Sequence, residues 1–139
     1  MFNLYGIDRL TEWRNFRDQL ETSTTPFNDV AELWANAPFV SPYLDPKSPK
    51  TWPDPWHLVI DNRLDDLAIT LGMLYTLSLT ERFKDTPFEV RELKEESDSH
   101  YILVVDNRNI LNLEYRRVAT IDSVNLRRTN ILWASEVGR

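Results

Sequence analysis

The chain has 139 residues, 42% of them hydrophobic and 27% charged, the make-up of one globular domain. Its formal net charge of −6 argues against a general phosphate-backbone binder; the pairs Arg116-Arg117 and Arg127-Arg128 are the basic candidates, and they read as ordinary solvated surface, so a nucleic-acid partner is not expected. With no cysteine anywhere, a disulfide, a thiolate metal site and a cysteine nucleophile are all excluded.

Met1 to Arg9 carries no basic stretch followed by an apolar run, so no signal peptide is expected. Asp8 is placed to cap a first helix with Leu10, Trp13, Arg17 and Leu20 on one stripe and Ile7 stapling its entry. Glu21 to Thr25 ends it. Thr25-Pro26 has the N-cap-plus-proline chemistry of a second start, with Val30, Leu33, Trp34 and Ala37 facing inward. Residues 38–55 hold six of the eight prolines, which rules out a helix or a central strand. The aromatics Phe39, Tyr43 and Trp52 imply that this loop packs on the body.

Asp54-Pro55 starts a short helix from Trp56 to about Asp61. A central helix from about Leu64 to Phe83 follows, apolar nearly all round and therefore buried on most sides. Its apolar stretch, Leu67 to Leu79, is too short to span a bilayer, and no membrane partner is expected. After Pro87 the period changes to two. Phe88 to Leu93 alternates as a strand, Lys94 to Ser99 is a polar turn, and Tyr101 to Val105 is a buried strand. Asp106 to Asn109 turns the chain into a return strand from Ile110 to Tyr115. Residues 117–121 are a candidate further strand, and residues 124–137 read as strand followed by a fraying tail. The order predicts an α+β fold in a single domain over 1–139, with N-terminal helices and a buried central helix packed on a C-terminal antiparallel sheet. Within it, residues 1–50 form a helical and proline-rich lead-in, 51–121 the core, and 122–139 a C-terminal segment.

The stretch Trp52-Pro-Asp-Pro-Trp-His-Leu-Val-Ile-Asp-Asn-Arg-Leu-Asp-Asp-Leu-Ala-Ile-Thr resembles the active-site segment of the bacterial transglutaminase-like cysteine proteinases. The resemblance covers roughly residues 50–121 and implies a transglutaminase/papain-like fold. In that family a Cys opens the central helix inside an Asp-Cys-Glu-Asp-Phe-Ala-type run. The matching run here is Arg63-Leu64-Asp65-Asp66-Leu67-Ala68, which puts Leu64 at the nucleophile. The resemblance likewise puts His100 at the general base and Asn112 at the residue that orients it. A leucine cannot carry charge or attack a carbonyl, and losing the nucleophile of a triad removes nearly all of its acyl-transfer rate. The resemblance therefore implies a degenerate, inactive site with Leu64, His100 and Asn112 as relic positions.

Each residue also has a plainer reading. His100 at a strand start serves as a hydrogen-bonded structural histidine, and Asn112 satisfies backbone groups. Asp65 and Asp66 offset the helix dipole. A metal held by Asp65, Asp66 and His100 or His57 is the competing chemistry, but adjacent helical aspartates diverge by about 100°. His57 reads as a surface helix residue, and no metal or cofactor is expected. Register decides whether the relic pair is real: a three-residue loop pairing Val105 with Asn109 puts His100 and Asn112 on one face, and a two-residue loop separates them.

The expected function is that of an inactive transglutaminase-like pseudoenzyme used for protein–protein contact. The patterns Trp-Pro-x-Pro-Trp and Tyr-Thr-Leu-x-Leu-Thr look similar to uncharacterised proteins of T4-like tailed bacteriophages, which implies a virion or assembly protein located in the particle or the host cytoplasm, with other virion proteins as partners. The proline loop and the C-terminal segment are the expected contact surfaces. The alternatives are a small metal- or His-dependent hydrolase and a phage-encoded regulator that binds a host protein.

Overall fold

Four helices precede five strands along the residues that the structure, a computed structural model, describes: 1–135. The helices are α1 (Gly6–Leu20), α2 (Pro26–Trp34), α3 (Pro55–Asp61) and α4 (Asp66–Ser78). The strands are β1 (Phe88–Glu95), β2 (Asp98–Val105), β3 (Asn109–Leu111), β4 (Ala119–Thr120) and β5 (Thr129–Ala134). They form one antiparallel sheet in the order β4-β3-β2-β1-β5, so the expected α+β class is what forms. The expected fraying tail beyond residue 135 lies outside the described residues.

The sheet grows from a meander. A two-residue turn joins Glu95 to Asp98, with Glu96 in the left-handed region at φ 54°. A three-residue loop then pairs Val105 with Asn109, the register that keeps His100 and Asn112 on one face. β5 returns from far along the chain to pair with β1, with a register shift between Val90 and Arg91. The return strand is three residues long rather than six, because Asn112 turns into the left-handed region at φ 66° and leaves the ladder. Asparagine is one of the few side chains that tolerates that conformation.

α4 packs on β2 on one side and on α1, α2 and α3 on the others, which explains a helix apolar all round. Leu64, Leu67, Leu71, Leu74 and Leu77 join Phe88, Val90, Leu103, Val105 and Leu111 in the principal core. The far face of the sheet buries Ile102, Val104 and Ile110 under the segment carrying Val124 and Leu126. β2 is thus covered on both faces over Ile102–Val105, which is why its sequence is continuously apolar there rather than alternating.

One close approach organises the helical layer. Trp34 of α2 lies so near Gly72 of α4 that a Cβ there would sit 2.3 Å from the indole. One turn on, the Thr76 hydroxyl accepts from Trp34 Nε1 and Trp13 Nε1, each at 3.0 Å, and donates to the Gly72 carbonyl at 2.6 Å. All three residues are fully buried, and every polar atom in this knot has a partner.

The sequence expectations fail at two helix ends. α1 starts at Gly6 with Tyr5 as N-cap, Asp8 lies inside its first turn, and Ile7 is 79% exposed, so no staple forms. Arg9 is buried instead: its guanidinium donates to the Val59 and Ile60 carbonyls near the end of α3, and to Leu4. A cation is favoured against the carbonyls of a helix C-terminus. α4 stops at Ser78 rather than near Phe83. Beyond it, the Glu21 carboxylate accepts from the Glu81 and Arg82 N–H groups at 2.9 Å, and the Arg82 guanidinium donates back to the Leu20 and Ser23 carbonyls. That polar clasp to the end of α1 replaces the helical bonds the pattern predicts.

Candidate functional site

The N-terminus of α4 points at the middle of the sheet, where two adjacent carboxylates take different duties. Asp65 is the N-cap: it accepts from Ala68 N–H at 2.7 Å, and also from the Tyr43 and Leu44 N–H groups at 2.9 and 3.0 Å. It is buried and fastens the proline loop to the helix. Asp66, the first helical residue, turns the other way. Its carboxylate accepts from Tyr101 N–H at 2.9 Å and Asn112 Nδ2 at 3.1 Å, and lies 2.9 Å from His100 Nδ1. The divergence expected for adjacent aspartates is therefore realised as one link to the loop and one to the sheet.

His100 and Asn112 come together, but not through the side-chain amide. The second ring nitrogen of His100, Nε2, meets the backbone carbonyl of Asn112. The Asn112 amide points under the helix instead, donating toward Asp66, Thr70 Oγ1 at 3.0 Å and the Tyr101 carbonyl at 2.9 Å. A carbonyl can only accept, so Nε2 must carry a proton. Nδ1 faces the Asp66 carboxylate. Both ring nitrogens of His100 are thus engaged, an arrangement that favours the imidazolium over the neutral ring.

The electrostatics agree with this geometry. The Asp66 hydrogen bond raises the His100 pKa; burial opposes it, and the carboxylate charge and the Asn112 carbonyl reinforce it. Burial pushes the Asp66 carboxyl up, but His100, the Tyr101 N–H and the Asn112 amide together hold it below the ordinary carboxylate range. The signs give opposite pH windows. The raised His100 contributes stability that is complete below its unfolded value of 6.5 and is lost as pH rises through the folded value. The lowered Asp66 contributes stability that is present above 3.8 and is lost as pH falls through its folded value. Wild-type stability should decline from pH 6 toward pH 9 by roughly 1 kcal/mol or less, because the pair is partly solvent-screened. Asp66→Asn should flatten that decline. Urea unfolding of both proteins across the range checks it, and an equal slope in the two overturns the assignment.

Two clefts of ≈ 350 and ≈ 410 Å³ flank the pair, and Asp66, His100 and Phe39 border both. Phe39 is 66% exposed between them, and Tyr115 stands over the first, with its hydroxyl donating to the Ala35 carbonyl. Leu64 borders neither cleft. It is 1% exposed, precedes the N-cap, and forms an isolated parallel bridge to Phe39, with Val40 N–H donating to its carbonyl. The structure therefore brings His100 and Asn112 together and places Asp66, rather than Leu64, opposite the imidazole. The sequence assigns Asp66 to the helix dipole, with a metal shared with His100 as the competing reading, and not to a direct pair with the imidazole; its position two residues beyond Leu64, on the first turn, is the signal that points to more.

His57 stands apart from this group. It lies on α3 with its Nδ1 2.7 Å from the Asp54 carboxylate, and Asp54 caps that helix through the His57 N–H. Among the described residues no three His, Asp or Glu side chains converge as a metal would require.

A buried helix aimed by its N-terminus at a histidine on an adjacent antiparallel sheet is the architecture of the papain-like and transglutaminase-like folds. No protein-family model and no curated protein sequence matches the chain. Among solved structures, LapG from Legionella pneumophila shares the fold in two structures, one of them calcium-bound, with TM-scores of 0.66 and 0.65. Each is 14% identical and covers 93% of this chain and 75% of LapG. LapG is a bacterial transglutaminase-like cysteine protease, so the fold implied by the sequence resemblance is the fold found.

Proposed function

We propose that this protein is a catalytically inactive pseudoenzyme of transglutaminase-like fold that works by binding another protein. The observation that carries this reading is His100: its two ring nitrogens face the Asp66 carboxylate and the Asn112 carbonyl, so both are engaged within the protein rather than with a nucleophile. The group facing it is a carboxylate held ionised by three donors, not a nucleophile poised for attack. The clefts on either side border the exposed aromatic Phe39, an apolar feature suited to protein contact.

One LapG structure holds calcium. In this chain the Asp65 carboxylate is surrounded by three backbone N–H donors and the Asp66 carboxylate by His100, Tyr101 and Asn112. That donor-filled environment does not fit a cation, which needs free carboxylate lone pairs. The same objection weighs against a metal-dependent hydrolase.

The setting that the sequence pattern supports is a tailed-phage particle or its assembly pathway, with other virion proteins as partners. Two measurements test the proposal. Purified protein, assayed on unfolded casein with and without added divalent cations, should release peptides no faster than buffer and no faster than the His100→Gln variant. His100-dependent turnover overturns the inactive reading. Mass spectrometry of purified particles should find the chain; its absence there favours a regulator of host proteins.

A further inference from the structure

The two contact surfaces expected from the sequence converge. Pro49, Trp52 and Pro53 of the proline loop meet Tyr75 of α4 and Trp133 of β5 around a third cleft of ≈ 390 Å³. Polar atoms of the wall are paired within the protein: the Tyr75 hydroxyl donates to the Pro53 carbonyl at 2.7 Å and Trp52 Nε1 to the Asp45 carbonyl at 2.8 Å. Ring faces and prolines are left to line the opening. Asp54 stands at its border with a half-exposed carboxylate.

Alongside runs β5, the outermost strand on that side of the sheet among the described residues. Its sequence, Thr-Asn-Ile-Leu-Trp-Ala, contains neither a charge nor a proline, the usual devices that blunt a free edge. Ile131 is 51% exposed, and Trp133 belongs to both the strand and the cleft wall. The exposed side chains of Arg127 and Arg128 stand just before the strand begins.

We propose that this edge and cleft together dock an extended segment of a partner protein. The segment pairs its backbone with β5 and seats one large apolar side chain among Trp52, Tyr75 and Trp133. Charge fixes its register. Asp54 selects a Lys or Arg beside the anchor, and Arg127-Arg128 select an Asp or Glu about four residues away, because Thr129 to Trp133 spans roughly 13 Å of strand. The proposal rests on the protein-contact reading above but not on the state of the His100 site.

Panning the full chain against a random peptide display library tests it. Enriched peptides should carry a large apolar anchor with a neighbouring basic residue. A synthetic copy, followed by fluorescence anisotropy, should lose about tenfold or more in affinity on Ile131→Lys and on Ser78→Trp, which fills the cleft, and less on Asp54→Asn, which keeps the helix cap. Hydrogen exchange should slow at the β5 amides. Failure to enrich peptides, binding indifferent to these variants, or protection confined to Phe39 and Tyr115 overturns the proposal. So does a self-paired dimer in sedimentation that Ile131→Lys dissolves. Turnover in the casein assay sinks the inactive-enzyme reading and leaves this one standing.

Discussion

Gly72→Ala should destabilise the fold by about 3 kcal/mol, a large share of the roughly 5–15 kcal/mol that holds a domain together. The new methyl carbon would lie 2.3–2.5 Å from three atoms of the Trp34 ring, and a rigid indole cannot bend away. Trp34 is held from two further directions: Phe2 meets it edge-on with ring centroids 5.2 Å apart, and its N–H is bound to Thr76. Moving it breaks that hydrogen bond as well as the packing. Thr76→Val probes the same knot through its chemistry. It keeps the volume but leaves the indole N–H groups of Trp13 and Trp34 buried without an acceptor, at about 2–4 kcal/mol together. Thr76→Ser restores the hydroxyl and should cost under about 1.5 kcal/mol. Denaturant unfolding of the three variants decides it. Equal losses for the Val and Ser variants would show that shape, not the shared hydroxyl, matters there.

A cysteine introduced at Asp66 should become a reactive thiolate, and one introduced at Leu64 should not. Asp66 is the first residue of α4, where helix N–H groups favour an anion, and it faces the His100 imidazole, whose pKa is raised. Leu64 is 1% exposed in the leucine core, where a thiol stays protonated and out of reach. Alkylation by iodoacetamide at pH 6 should run about 100-fold faster for Asp66→Cys than for Leu64→Cys. Because the chain has no cysteine, the signal is unambiguous. Adding His100→Gln should remove most of the difference. Faster reaction at Leu64→Cys would return the nucleophile's place to the position the sequence resemblance indicates. The single substitution nearest to placing a thiol against the His100 imidazole is thus two residues from the position that the sequence resemblance indicates.

Much of the fold is legible along the chain because its signals are local. Thr25-Pro26 and Asp54-Pro55 open helices where cap and proline chemistry predict, and the apolar run after Asp65 is the buried helix. The turn cluster after Val105 contains the register that joins His100 to Asn112. What escaped sequence reasoning depends on partners distant in sequence. Arg9 is buried because the α3 carbonyls happen to face it across about fifty residues. α4 ends early because Glu21 captures the N–H groups beyond it. β3 is short because the Asn112 amide is drawn under α4 by Asp66, Thr70 and the Tyr101 carbonyl, which rewards a left-handed backbone there. In the candidate site the residue types were visible but their pairing was not. Adjacency of Asp65 and Asp66 says that they diverge; only the sheet's position says which one meets the histidine.

The raised pKa of His100 also makes folding a proton-uptake reaction above the ordinary histidine value. The formal charge of −6 counts both histidines as neutral, so a protonated His100 brings the folded chain to −5 on the same count. Between the ordinary histidine value of 6.5 and the raised folded value, unfolding hands that proton to the solvent. The heat absorbed on unfolding in that window then includes the ionisation heat of whichever buffer receives the proton. Calorimetry in phosphate and in Tris at one pH therefore reports different enthalpies for the same molecule, and the difference counts the protons that the fold takes up.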